Sequence, residues 1–178
     1  MRASHLLWPL CAAMTVRAEV SSAQNLPVQP GQAAYAAIGE IVRMLDADSN
    51  TDWTRVNIES LRQHLIDMDE VTLRSHATQH NVPGGVAMDV TGSVATAAAI
   101  RRMVTNHSRM MAMATSLQSS ATNITGGVRW VVTAANPADA RAVARIRGLG
   151  FAGLLPVGEH HAAHHLAVAR GDPDPHTH

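Results

Sequence analysis

The sequence predicts an α+β fold, in which helices pack on one face of a small antiparallel or mixed sheet. Several stretches carry apolar residues at the spacing of an amphipathic helix. Two stretches of alternating apolar and polar residues flank the turn Val82-Pro83-Gly84-Gly85, which is typical of a β-hairpin. Helices come first, then strand–strand–helix, then strand–helix–strand. A ferredoxin-like arrangement is therefore one candidate, and an all-helical bundle is the alternative to the α+β fold.

The composition fits one domain with a packed core. The chain has 178 residues, of which 46% are hydrophobic and 16% are charged, and this is too apolar for a disordered chain. Its 14 basic residues are all arginine and equal its 14 acidic residues in number. Neither a nucleic acid nor an anionic membrane surface is therefore an expected partner. The composition is unusual in its eleven histidines and nine methionines. Both residue types can bind metal ions.

Residues 1–23 have the pattern of a secretory signal peptide. Arg2 supplies a positive charge, residues 6–14 form a short apolar stretch, and small residues precede a cleavage position after Ala23. An N-terminal helix of the mature domain is the alternative, but Pro9 would interrupt it. The sequence therefore predicts an exported protein, periplasmic or secreted. No other stretch approaches the roughly 20 apolar residues of a membrane span, so an integral membrane protein is not expected.

Cleavage would remove Cys11, the single cysteine, and would leave ten of the eleven histidines, all but His5. The mature chain would then have no thiolate nucleophile and no thiolate metal ligand. A lipoprotein is a further possibility for Cys11, but a lipid-attachment cysteine follows a small residue and Leu10 is not small. Any metal site must therefore use histidine, methionine or a carboxylate.

The mature chain divides into three parts. Residues 24–31 contain prolines and a glycine and are expected to form an extended leader. Residues 32–171 are expected to form the single α+β domain, and residues 172–178 a disordered tail.

In the first half of this domain, the sequence pattern predicts two helices and the hairpin. Helix A covers 32–46, and helix B covers 53–69 with Asp52 as its N-cap. A period-two pattern then predicts hairpin strands over 71–79 and 84–91.

The second half is harder to assign. The predicted elements are helix C over 93–114, a loop over the Ser- and Thr-rich residues 115–126, a strand over 128–133, and helix D. Helix D is expected to start from Asn136 as its cap and to end at Gly148 or Gly150. The segment from His160 to Arg170 has features of both helix and strand. A helical turn followed by a strand from about His164 is preferred.

The strongest chemical signal is the run His160-His161-Ala162-Ala163-His164-His165. On a helix, His160 pairs with His164 and His161 pairs with His165, because residues four apart share a face. Imidazole is a ligand for zinc, copper, nickel and iron. On a strand only alternate histidines would converge. The zinc-protease pattern H-E-x-x-H is absent, since Glu159 precedes the run.

Helix C carries a histidine in the middle of its apolar face. This face comprises Ile100, Met103, Val104, His107, Met110, Met111 and Ala114. The polar residues of helix C, Ser108 among them, lie on the other face. His107 is therefore expected to be largely buried, either as a hydrogen-bonded core residue or as part of a His–Met site. Thioether and imidazole ligands together favour Cu(I), although methionine is also ordinary core filler.

Helix B repeats this pairing, because His64 and Met68 are four residues apart and share an edge. If helices B and C pack side by side, these two residues could converge with His107 and with Met110 or Met111. His76 and His80 lie on the outward side of a predicted strand and are expected at the surface.

These observations predict an exported His- and Met-rich protein that binds a metal ion, with copper preferred over zinc. The alternative is a small exported binding or interaction domain whose histidines are structural and hold no metal. An enzyme that uses His107 or the 160–165 run as general base or metal ligands is a third hypothesis. Nucleophilic catalysis has no support, because the mature chain has no cysteine and no G-x-S-x-G motif.

Overall fold

A computed structural model describes residues 33–158 and 161–172. The predicted signal peptide and leader, and most of the predicted tail, lie outside these residues. The described part is an α+β fold, as predicted, with five helices and a four-stranded antiparallel sheet. In chain order the elements are α1 (Ala33–Ala47), α2 (Ile58–Arg74), β1 (His76–Val82), β2 (Gly85–Thr91), α3 (Val94–Ala114), β3 (Leu117–Ile124), β4 (Gly127–Ala134), α4 (Ala140–Leu154) and α5 (His161–Arg170).

The sheet consists of two hairpins joined by α3. Its strand order is β1-β2-β4-β3 and every neighbouring pair is antiparallel. The central strands β2 and β4 place Met88 opposite Trp130. Because β2 and β3 are both antiparallel to β4, which lies between them, they run in the same direction and α3 connects them as a split β–α–β unit. A ferredoxin-like fold contains such a unit, but its chain order is β-α-β-β-α-β, whereas here two strands precede α3 and two follow it.

One face of the sheet forms the main core. Alternate residues of β2 and β4 are completely buried on this face, and α3 and α4 pack against the strands. These strand residues are Val86, Met88, Val90, Val128, Trp130 and Val132. On the opposite face, Arg129 donates two hydrogen bonds of 2.6 Å to the carboxylate of Asp89. These bonds hold the pKa of Asp89 below its ordinary value.

A second apolar cluster joins α1, α2 and α5. Its buried members are Ile41, Leu45, Leu61, Leu65 and Ala169. Because α2 also packs along α3, this three-helix layer is attached to the helical side of the sheet. Helix α2 is thus the element between the two clusters, and its side chains face both α3 and α5.

Helix α2 is displaced towards the C-terminus relative to the prediction. It begins at the N-cap Asn57, whose side chain accepts a hydrogen bond from the Ser60 amide, and not at Asp52. It also includes residues 71–74, which were expected to begin a strand. Val71 is buried in the core, whereas Leu73 is 73% exposed. The alternate apolar residues that suggest a strand are therefore part of a helix, in which Leu73 faces solvent.

Strand β3 replaces the predicted loop over 115–126. Its inward positions, Leu117, Ser119 and Ala121, are half-buried and alternate with exposed polar residues. β3 also explains why Ser108, expected on the solvent face of helix C, is buried. The hydroxyls of Ser108 and Ser119 are 2.8 Å apart, and the Trp130 indole N–H donates to Ser119 over 2.9 Å. Buried hydroxyls need such partners.

The last two helices also differ from the prediction. The N-cap of α4 is Asp139, whose carboxylate accepts from two backbone amides, and not Asn136. The helix continues past Gly150, which has φ 55° and marks a kink. The predicted strand from His164 is wrong, because His161–Arg170 is helical. Leu166 and Ala169, three residues apart, pack against α1 and α2 instead of joining the sheet.

Candidate functional site

Three imidazole rings meet where α5 crosses α2. The ring of His64, on α2, contacts the rings of His164 and His165, which are adjacent on α5. Its centroid is 4.7 Å from the His164 centroid and 5.3 Å from the His165 centroid. Both ring pairs have an edge-to-face arrangement, with angles of 71° and 70° between their planes.

A thioether completes this group. Met68 lies one helical turn beyond His64, and its sulfur is 3.4 Å from Nε2 of His165. We call these four side chains, His64, Met68, His164 and His165, the α2–α5 cluster. All four are half-buried, and Nε2 of His64 and Nδ1 of His164 are shielded from solvent.

Contacts at the C-terminal end of α5 and along its apolar face position the cluster. Ala169 is completely buried between the helices, and its carbonyl accepts a 2.7 Å hydrogen bond from the amide of Asn57, the N-cap of α2. Arg170 forms a 2.7 Å ion pair with Asp48, just after α1. These contacts connect α5 to both neighbouring helices and so fix the position of the backbone of His164 and His165.

His107 lies elsewhere, in the main core. It is 7% exposed, which confirms the burial predicted for it on the apolar face of α3. Its Nε2 is 3.2 Å from the carbonyl oxygen of Leu154. A carbonyl only accepts hydrogen bonds, so Nε2 carries the proton. The His107 ring also packs edge-to-face on Trp130, with centroids 5.6 Å apart. These contacts make His107 a structural residue of the core.

A small cavity lies between α2, α3 and the chain after α4. Its volume is about 50 Å³, and it is lined by Met68, Val71, Thr72, Met103, His107 and Leu155. Met68 of α2 and Met103 of α3 thus lie beside His107, whereas Met110 and Met111, the methionines named for this convergence, do not line the cavity. His64 does not take part, because it lies against α5. Met68 is the residue common to the α2–α5 cluster and the cavity.

Met110, another predicted ligand, is brought to neither place. Met110 is half-buried on α3 and does not line the cavity. His160 and the side chain of His161 lie outside the described part of the chain. His76 and His80 are exposed on β1, as expected.

The arrangement is not a preformed metal centre. Among the residues that the structure describes, no three or more His, Cys, Asp or Glu side chains are placed to hold one ion. Nearby carboxylates of α2 have other roles: Asp67 accepts two 2.8 Å hydrogen bonds from Arg102, and Glu70 accepts from Thr96 over 2.7 Å. The donors that do meet are imidazole nitrogen and thioether sulfur.

No known protein family, curated protein or solved structure matches the chain. Within the described residues, no helix combines the length and apolar character that crossing a membrane requires.

Proposed function

We propose that the protein binds a soft metal ion, Cu(I) in preference to Zn(II), at the α2–α5 cluster. The observation that supports this most strongly is the convergence of three imidazoles and one thioether from two helices. These helices are far apart in sequence and are fixed by separate contacts. Structural histidines in an interaction domain without metal remain the alternative, and the experiment below separates the two.

The ring distances are compatible with a shared ion. A metal–nitrogen bond of about 2.0 Å places the centroids of two imidazoles on one ion roughly 5 Å apart. The centroid distances of 4.7 Å and 5.3 Å around His64 are in this range. The terminal torsion of a histidine side chain has a broad energy minimum. Ring rotation, without movement of the helices, would therefore turn the nitrogens towards an ion.

The donor set favours Cu(I). A thioether is a soft ligand that suits Cu(I), and imidazole suits copper as well as zinc. Zinc is also held by three imidazoles, but such a site takes water as its fourth ligand, whereas the fourth donor here is the thioether of Met68. The nearby carboxylates Asp67 and Glu70 are instead bound to Arg102 and Thr96. An ion of single charge also costs less to bring into a half-buried position than a divalent ion.

Export is part of this proposal. If residues 1–23 are a signal peptide, the protein recovered from the periplasm is expected to start at Gln24. Intact-mass analysis would show the loss of the first 23 residues. Recovery of the full-length chain from the cytoplasm would contradict export and would leave Cys11 available as a ligand.

The proposal is tested by measuring Cu(I) affinity. Tag-free protein should compete with a chromophoric Cu(I) chelator under reducing, anaerobic conditions, with a Kd below about 10 µM. His64→Gln and His164→Gln should each weaken binding at least tenfold. The matched controls His76→Gln and His80→Gln, on exposed positions of β1, should stay within about twofold of the parent. Circular dichroism would verify that each variant is folded. Binding weaker than about 10 µM for both Cu(I) and Zn(II) would leave the histidines structural.

We expect Cu(I) affinity to fall when the pH is lowered from 7.5 to 5.5. Imidazole binds a metal only in its neutral form, and histidines ordinarily take up a proton near pH ~6.5. Protons therefore compete with the ion as the pH falls, whereas a thioether does not titrate. The chelator competition repeated at both pH values measures this. Equal affinity at pH 5.5 and 7.5 would indicate a site dominated by methionine.

A further inference from the structure

We infer that the cavity between α2 and α3 is a second position for Cu(I), formed by Met68, Met103 and His107, and that it exchanges the ion with the α2–α5 cluster through the shared Met68. This inference rests on the proposed function and extends it. A bound ion would then occupy either of two adjacent soft-ligand positions, one between α2 and α5 and one between α2 and α3.

The position of Met68 is the first step of the argument. Its sulfur lies 3.4 Å from Nε2 of His165 on the α5 side, and the same side chain lines the cavity on the α3 side. Methionine is unbranched and has three rotatable bonds, so its thioether can reorient within packed surroundings. The sulfur of Met68 can therefore serve either ligand group without movement of α2.

The chemistry of the cavity is the second step. Two of its six lining residues are methionines, and of the others only Thr72 and His107 carry polar side chains. No lining residue carries a carboxylate or a thiol, so the donor atoms of the lining side chains are thioether sulfur, imidazole nitrogen and the hydroxyl oxygen of Thr72, all uncharged. With Nε2 donating to Leu154, a neutral His107 has its lone pair on Nδ1. Two thioethers and one imidazole form a ligand set that suits Cu(I).

The size of the cavity is the third step. A volume of about 50 Å³ exceeds the ~10–15 Å³ that a single water molecule needs on the same kind of measure. The cavity therefore has room for an ion whose hydration shell has been replaced by protein ligands. An ion that moves from the cluster into the cavity would keep Met68 as a ligand throughout. Exchange would then proceed by ligand substitution, without release of the ion to water.

The experiment follows the methionine methyl groups by NMR during titration with Cu(I), which is diamagnetic. The full protein carries ¹³C-labelled methionine methyls. In the parent, one equivalent of Cu(I) should shift the methyl signals of both Met68 and Met103. The signal of Met113, which is 82% exposed, should not move. In His164→Gln, the shift of Met103 should persist, because the cavity position remains. In Met103→Leu, a nearly isosteric change, the shift of Met68 should persist.

The outcomes separate this inference from the proposed function. A shift at Met68 with no movement of Met103 would overturn the second position and leave the α2–α5 cluster as the site. No shift at either methyl would overturn both. Met113→Leu serves as the matched control for the loss of a methionine, and its Met68 and Met103 signals should respond to Cu(I) as in the parent.

Discussion

Replacing Trp130 with alanine is expected to lower the free energy of unfolding by about 3–5 kcal/mol, the usual loss for a large aromatic residue in a core. Trp130 is completely buried at the centre of β4. Its ring packs edge-to-face on His107 and on Phe151, with centroid distances of 5.6 Å and 6.1 Å. Its indole N–H donates to Ser119. Removal therefore leaves a cavity between the sheet and two helices. Urea unfolding followed by circular dichroism would measure the loss.

Trp53 offers a matched control on the same protein. It is 54% exposed and precedes α2, so Trp53→Ala is expected to change stability by no more than about 0.5 kcal/mol. If Trp130→Ala does not fold, Trp130→Phe keeps the test available. That variant retains most of the ring contacts and loses the bond to Ser119, at an expected cost of about 1–3 kcal/mol. Equal effects of the Trp130 and Trp53 substitutions would contradict the placement of β4 in the core.

Replacing His107 with alanine is expected to cost about 1–3 kcal/mol in the absence of metal. The change removes one of two donors to the carbonyl of Leu154, which keeps a 3.1 Å hydrogen bond from the amide of Val157. The loss of a hydrogen bond and of a buried ring together carries a cost of this size. The change also removes the ring that packs on Trp130 and enlarges the neighbouring cavity. Chemical unfolding of metal-free protein measures the loss. His80→Ala, on an exposed position of β1, is the control and should change stability by less than about 0.5 kcal/mol.

The metal dependence of this effect distinguishes two roles for His107. A structural role predicts the loss in metal-free protein. A role solely as a ligand predicts a loss only when Cu(I) is bound. Unfolding His107→Ala with and without Cu(I) separates them, and unchanged stability without metal would contradict the core role described above.

The strongly periodic elements could be predicted from sequence. Helices α1 and α3 and strand β4 differ from their predicted bounds by one residue at each end at most, because each has a continuous apolar face that fits a single period. Strand β3 could not be predicted in this way. It lies at a sheet edge, its outward residues are polar, and its inward Ser119 is stabilised by Ser108 and Trp130, which come from other elements. The local sequence carries no sign of these partners.

The site shows the same division between local and long-range information. The pairing of His64 with Met68 follows from helical spacing, and both residues do share an edge of α2. Their partners do not follow from it. Side-by-side packing of helices B and C would allow His64 to meet helix C, but its ring lies against α5. For that segment the sequence favours a helical turn followed by a strand. Which face of α2 meets α5 depends on the contacts of Ala169 and Arg170 with distant residues, and no spacing within 160–170 indicates them.

The most direct test of the account is the response of individual histidine ring nitrogens to Cu(I), measured by ¹H–¹⁵N NMR at pH 7.5 on tag-free protein. The account predicts that one equivalent of Cu(I) shifts the ring nitrogens of His64, and those of His164 or His165, while His76 and His80 are unchanged. Shifts confined to His76 and His80, or no shift at any of these histidines, would contradict a metal site at the α2–α5 cluster.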